Sequence, residues 1–107
     1  MFIYVYYKFV PSEFPTLLKQ VEVMQSSIEA EYVSSHLVTI SPKLFKRPEV
    51  DKESRETWME VYNLDALTEH SVLQFIERLK QLALEMGLPQ PRAIEKFQSI
   101  KLNQLMT

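Results

Sequence analysis

The chain opens on MFIYVYYKFV, a run in which all but one position is apolar or aromatic, and Pro11 closes it. Val, Ile, Tyr and Phe suit a pleated surface packed on at least one side, so the pattern predicts a first strand over Phe2 to Val10. From Ser12 the period changes. Phe14, Leu17, Leu18, Val21, Met24, Ile28 and Tyr32 recur at steps of three and four, which predicts a helix capped by the Ser12 hydroxyl and running to about Tyr32. His36 to Ile40 is strand-like again, and Pro42, inside the longer run to Lys46, assigns this second strand to a sheet edge or a bulge, because proline cannot donate to a ladder. Polar PEVDKESRE, Pro48 to Glu56, reads as a long hairpin loop. It leads into RETWMEVY, Arg55 to Tyr62, a third strand with Trp58, Glu60 and Tyr62 on one parity and Thr57, Met59 and Val61 on the other. Asp65 or Thr68 then caps a second helix with Val72, Phe75, Ile76, Leu79, Leu82, Ala83 and Met86 on one stripe. Gly87, the only glycine, stops it at the place of a left-handed cap, with Pro89 and Pro91 beyond. Arg92 to Ile100 predicts a fourth strand, followed by a short tail, Lys101 to Thr107.

The order strand, helix, strand, strand, helix, strand is the ferredoxin-like βαββαβ arrangement. It is an α+β fold with two helices on one face of an antiparallel sheet of strand order four, one, three, two, in a single domain over residues 1–100. With strands one and three as central neighbours, Ile3, Val5, Phe9, Met59 and Val61 are expected to face the helices. The opposite face then collects Phe2, Tyr4, Tyr6 and Lys8 with Trp58, Glu60 and Tyr62. At roughly 150–250 Å² each, five rings represent on the order of 1,000 Å² at most, more than a monomer ordinarily leaves open to water. A second copy is therefore expected to pack there, as a two-fold homodimer.

Composition adds mainly exclusions. A formal charge of −2 provides no field to attract phosphate backbones, and the basic group Lys43, Lys46 and Arg47 is followed by Glu49 and Asp51, so nucleic acid is not an expected partner. Without cysteine there are no disulfides, thiol nucleophiles or thiolate metal sites, which fits a reducing, cytoplasmic setting. The apolar opening lacks a basic leader and a small-residue cleavage site and is too short to span a bilayer, so no membrane partner is expected. His36 and His70 are the only imidazoles and read as surface residues, and neither a metal nor another cofactor is expected.

The candidate site lies on the ring-rich parity. Lys8 and Glu60 could form an ion pair that fixes register inside a dimer, with Arg47 as another answer to the carboxylate. Alternatively Glu60 is a perturbed carboxylate which, with Tyr4, Tyr6, Lys8, Arg47, Trp58 and Tyr62, lines a site for a small polar or aromatic ligand. Arg47, Lys43, Lys46 and Arg55 could also form an anion-binding mouth, or simply guard a sheet edge.

The segments YYKF (Tyr6 to Phe9), KLFKRPE (Lys43 to Glu49), TWMEVY (Thr57 to Tyr62) and PRAIEKF (Pro91 to Phe97) resemble those of a bacterial family of about this length, known only as a domain of unknown function. Ala93 stands where that family's last segment usually carries a histidine, so no role of that histidine transfers. The resemblance extends to the dimeric α+β barrel superfamily and implies a barrel built from two paired sheets, but no particular chemistry. Small monooxygenases of that superfamily, haem-degrading or cofactor-free, are the enzyme alternative, with Trp58 and His70 as loose matches. The asparagine of their first strand is lacking, and the parity assigned to Trp58 turns it away from the sheet–helix space where their pocket lies. A structural or regulatory interaction module, binding a partner through Leu102, Leu105 and Met106, is the third reading.

Overall fold

The computed structural model describes residues 1–100. The tail contacts expected of Leu102, Leu105 and Met106 lie outside the described residues. Four strands, β1 (Phe2–Phe9), β2 (Lys43–Lys46), β3 (Glu56–Asn63) and β4 (Ala93–Phe97), form one sheet in the order β2-β3-β1-β4. All neighbours are antiparallel. Helices α1 (Leu17–His36) and α2 (Glu69–Glu85) follow β1 and β3. This is the ferredoxin-like α+β architecture.

Both helices begin and end where local chemistry requires. Pro11–Glu13 makes a single tight turn, and Phe14, placed before Pro15, takes the non-helical φ −133°, ψ 63°. The helical region is sterically disfavoured for a residue preceding proline, so α1 starts only at Leu17 and the expected Ser12 cap is not formed. The helix also continues past Tyr32 to His36, and Leu37 ends it in the left-handed region at φ 56°. Its buried side is Leu17, Val21, Met24, Ile28 and Tyr32, whereas Leu18 points outward. Thr68, one of the two expected caps, starts α2 by accepting a hydrogen bond from the Ser71 N–H at 3.2 Å. Gly87, at φ 68°, follows its last turn.

The second strand is shorter than the pattern predicts. Ile40 is buried and its carbonyl accepts from the Asn63 N–H, but Ser41 sits at φ 41° and Pro42 has no N–H, so continuous pairing begins only at Lys43. It is an edge strand. Likewise β4 covers only Ala93–Phe97 of the expected longer run.

Register decides which side chains share a face, and here one expectation is corrected. Ile3 pairs with Tyr62, Val5 with Glu60, and Tyr7 with Trp58. Directly opposed residues project to the same side, so Trp58, Glu60 and Tyr62 lie with Ile3, Val5, Tyr7 and Phe9 on the helix-covered face. Met59 and Val61, expected inside, lie with Phe2, Tyr4, Tyr6 and Lys8 on the open face. Solvent exposure agrees, with Glu60 and Tyr62 buried and Met59 and Val61 only partly covered. The core between sheet and helices is completed by Val72, Phe75, Ile76, Leu79 and Ala83 of α2.

Candidate functional site

Two constellations emerge, one on each side of the sheet. Beneath the helices, the Glu60 carboxylate is fully buried. Tyr7 Oη donates to its Oε2 at 2.6 Å and Tyr62 Oη to its Oε1 at 2.7 Å. Arg92, the residue immediately before β4, closes the group with a bidentate pair, Nη2 to Oε1 at 2.7 Å and Nη1 to Oε2 at 3.0 Å. Its side chain is only 5% exposed, and its guanidinium carbon lies 4.8 Å from the centre of the Tyr7 ring. Gln25 of α1 donates to Tyr62 Oη at 3.5 Å, linking the cluster to the first helix.

The electrostatics follow from burial. Desolvation, then the adjacent Glu60 charge, pushes the Tyr7 hydroxyl far above its ordinary range, and the same causes in the same order raise Tyr62. Burial acts to lower Arg92, but its hydrogen bonds and charge attraction to Glu60 outweigh that and leave it raised. Each carboxylate oxygen receives two donors, and among the described residues no buried side-chain nitrogen or oxygen lacks a partner. A carboxylate so saturated has no lone pair turned toward a substrate. Its chemistry is that of a clamp joining β1, β3 and the start of β4.

Two pairings expected of Glu60 are thereby corrected. Lys8 is on the opposite face, exposed, with its Nζ 3.9 Å from Asp51. Arg47 is exposed just after β2, and Arg92 takes the place of both. Arg92 and Tyr7 are the members that sequence reasoning missed, although a signal existed. If Ile3, Val5 and Phe9 face the core then Tyr7 must as well, and a buried tyrosine hydroxyl needs a partner.

The second constellation is a cleft of about 840 Å³ on the open face, lined by Tyr6, Lys8, Phe45, Arg47, Met59 and Glu95 among others. Of the expected ligand-site residues it gathers Tyr6, Lys8 and Arg47. Tyr4 lies beside it in edge-to-face contact with Phe97 at 5.2 Å. Trp58, Glu60 and Tyr62 are on the other side of the sheet, Trp58 packing edge-on against Phe9 at 5.0 Å with its indole N–H donated to Glu56. The nearby Glu95 carboxylate raises the Tyr6 hydroxyl. Around the mouth, Lys8 and Arg55 pair with Asp51, and Lys46 with Glu56, whereas Arg47 has no carboxylate within 4.0 Å among the described residues. Its position is nonetheless set by the sheet, since its backbone N–H donates to the Thr57 carbonyl at 3.0 Å.

His70 is exposed on the first turn of α2, and among the described residues no cluster of three or more histidines and carboxylates could hold a metal ion. Trp58 does face the helices, which reverses the parity on which it was set apart from the monooxygenase pocket. The space beside it is filled by Phe9, Tyr7 and the Glu60 clamp. Among the described residues no helix is long and apolar enough to cross a membrane.

Fold and site together define a ferredoxin-like α+β protein with an ion-clamped core and an open, ring-lined sheet face. The chain matches no family model, no curated protein and no solved structure.

Proposed function

We propose that the protein acts as a homodimer of the α+β barrel kind, in which the open sheet faces of two copies meet and enclose a site for a small polar or aromatic ligand. The observation that carries this reading is the open face itself. An antiparallel sheet with one side solvated ordinarily turns polar residues to water. Here the centre of that side is Tyr4, Tyr6, Met59 and Val61, bordered by Phe45 and Phe97, each 50% exposed. The cleft on this face combines aromatic and apolar walls with several charged groups, Lys8, Arg47 and Arg55 toward the hairpin loop and Glu95 on β4, which suits a small ligand with both aromatic and polar parts. The same reading accommodates the similarity of TWMEVY and the other three segments to a bacterial family of the dimeric barrel superfamily.

Sedimentation equilibrium at micromolar concentration is expected to give the mass of a dimer, and a monomer there would overturn the reading. For the ligand, anilinonaphthalene sulfonate supplies an aromatic body with one negative charge. Its fluorescence is expected to rise on binding the folded protein, and Arg47→Ala is expected to weaken that binding several-fold. Equal binding by both proteins would remove Arg47 from the site.

A further inference from the structure

The open-face cleft is charged unevenly along the strands. The pairing register sets Arg47, Thr57 and Lys8 in one row across the sheet, Phe45, Met59, Tyr6 and Ala93 in the next, and Tyr4 with Glu95 in a third. The row at the hairpin end is cationic, the middle row supplies two rings, a thioether and a small side chain, and the third brings a carboxylate to the same cleft. Lys8 and Tyr4 stand four positions apart on β1, about 13 Å at the rise of a strand. With polar heads reaching inward from both ends, the middle row is left to a flat body of one or two fused rings.

Pairing decides how much charge such a ligand carries. Lys8 faces Asp51, Arg55 faces Asp51 and Glu53, and Lys46 faces Glu56. Of the four cations lining the cleft, Lys8, Lys46, Arg47 and Arg55, only Arg47 has no carboxylate partner among the described residues. One uncompensated positive charge matches a monoanion, because the second charge of a phosphate monoester would have to draw a cation away from a carboxylate it already has. A guanidinium is also a planar fork that takes both oxygens of a carboxylate at once. At the other end Glu95 is exposed and likewise has no ion-pair partner among the described residues. It repels a second acid group on the ligand and accepts from a hydroxyl or amine placed there, so it selects by both attraction and repulsion.

We infer that the cleft takes an aromatic monocarboxylate, with its acid group on the Arg47 guanidinium, its ring over Phe45, Met59 and Tyr6, and a hydroxyl or amine donor turned to Glu95. This rests on the small-ligand reading above and names the chemical class of that ligand.

Three compounds with one ring body and different ends test it by isothermal titration calorimetry at pH 7. The monocarboxylate 6-hydroxy-2-naphthoate is expected to bind the wild-type protein about tenfold more tightly than neutral 2-naphthol, which lacks the charge-assisted bonds to Arg47. It is expected to exceed naphthalene-2,6-dicarboxylate by a similar factor, because the second acid of that compound meets Glu95. Arg47→Gln is expected to remove the advantage over 2-naphthol, and Glu95→Gln to bring the dicarboxylate to within about threefold of the monocarboxylate. Both positions are exposed, so both variants are expected to keep the wild-type circular dichroism spectrum. Equal affinity of the wild type for the monocarboxylate and either of the other compounds would overturn the class, and so would a preference that survives in the matching variant. If none of the three binds while anilinonaphthalene sulfonate does, the class falls and the ligand site stands. If that probe fails as well, the reading beneath it falls too.

Discussion

At the scale of single residues, the decisive feature is a carboxylate in the core. Removing one partner of a buried, bidentate ion pair leaves the other charge desolvated, at a loss of about 3–5 kcal/mol, while replacing both with apolar groups loses far less. Arg92→Met is therefore expected to cost about 3–5 kcal/mol in urea denaturation. The double variant Glu60→Met with Arg92→Met should lose clearly less than the sum of the single variants. Strict additivity would show that the two side chains are not energetically coupled. Hydropathy alone could not reveal this arrangement, because on β3 it favours Met59 and Val61 for the interior and Glu60 for the exterior. What reverses the preference is that Tyr7 and Arg92, distant in sequence, join Tyr62 of the same strand on one carboxylate. Period-two alternation identifies the two faces of a strand, but which face is inside depends on such long-range partners.

At the scale of elements, the pattern of apolar positions was a good guide to existence and order and a poorer one to ends. All four strands, both helices, the long hairpin loop and the edge position of β2 were legible. The boundaries moved where one residue overrode the periodicity, Pro15 delaying α1 and Ser41 delaying β2. The end of α1 carries a testable weakness. Leu37 occupies a left-handed cap with its side chain 88% exposed, so it bears the steric penalty of a Cβ in that region with little packing in return. Leu37→Gly is expected to stabilise the protein by about 0.5–1 kcal/mol, after allowing for the greater freedom of glycine in the unfolded chain. Thermal denaturation reads this as a rise of roughly a few degrees in Tm. A fall would show that Leu37 makes stabilising contacts the cap conformation hides.

At the scale of the whole molecule, two buried phenols couple stability to pH. Tyr7 and Tyr62 are both raised above the ordinary value of 10.0, first by burial and then by Glu60, so the fold favours their protonated forms. Their contribution is complete below the unfolded value, where neither state has lost the protons. It declines as pH climbs past about 10, because the unfolded chain then releases protons that the native one retains. Melting temperature is expected to hold steady from pH 7 to 9 and to fall beyond, with a shallower alkaline fall in Tyr7→Phe. An identical slope in the variant would show that Tyr7 is not among the groups responsible. The clamp also bears on how the core closes. Strands β1 and β3 precede Arg92 in the chain, and a core closed over Glu60 without it would bury a carboxylate among phenols with no guanidinium to meet it. The residue just ahead of the short rim strand thus supplies the counter-charge that lets the interior close, so the paired core is complete only once the chain through Arg92 is available.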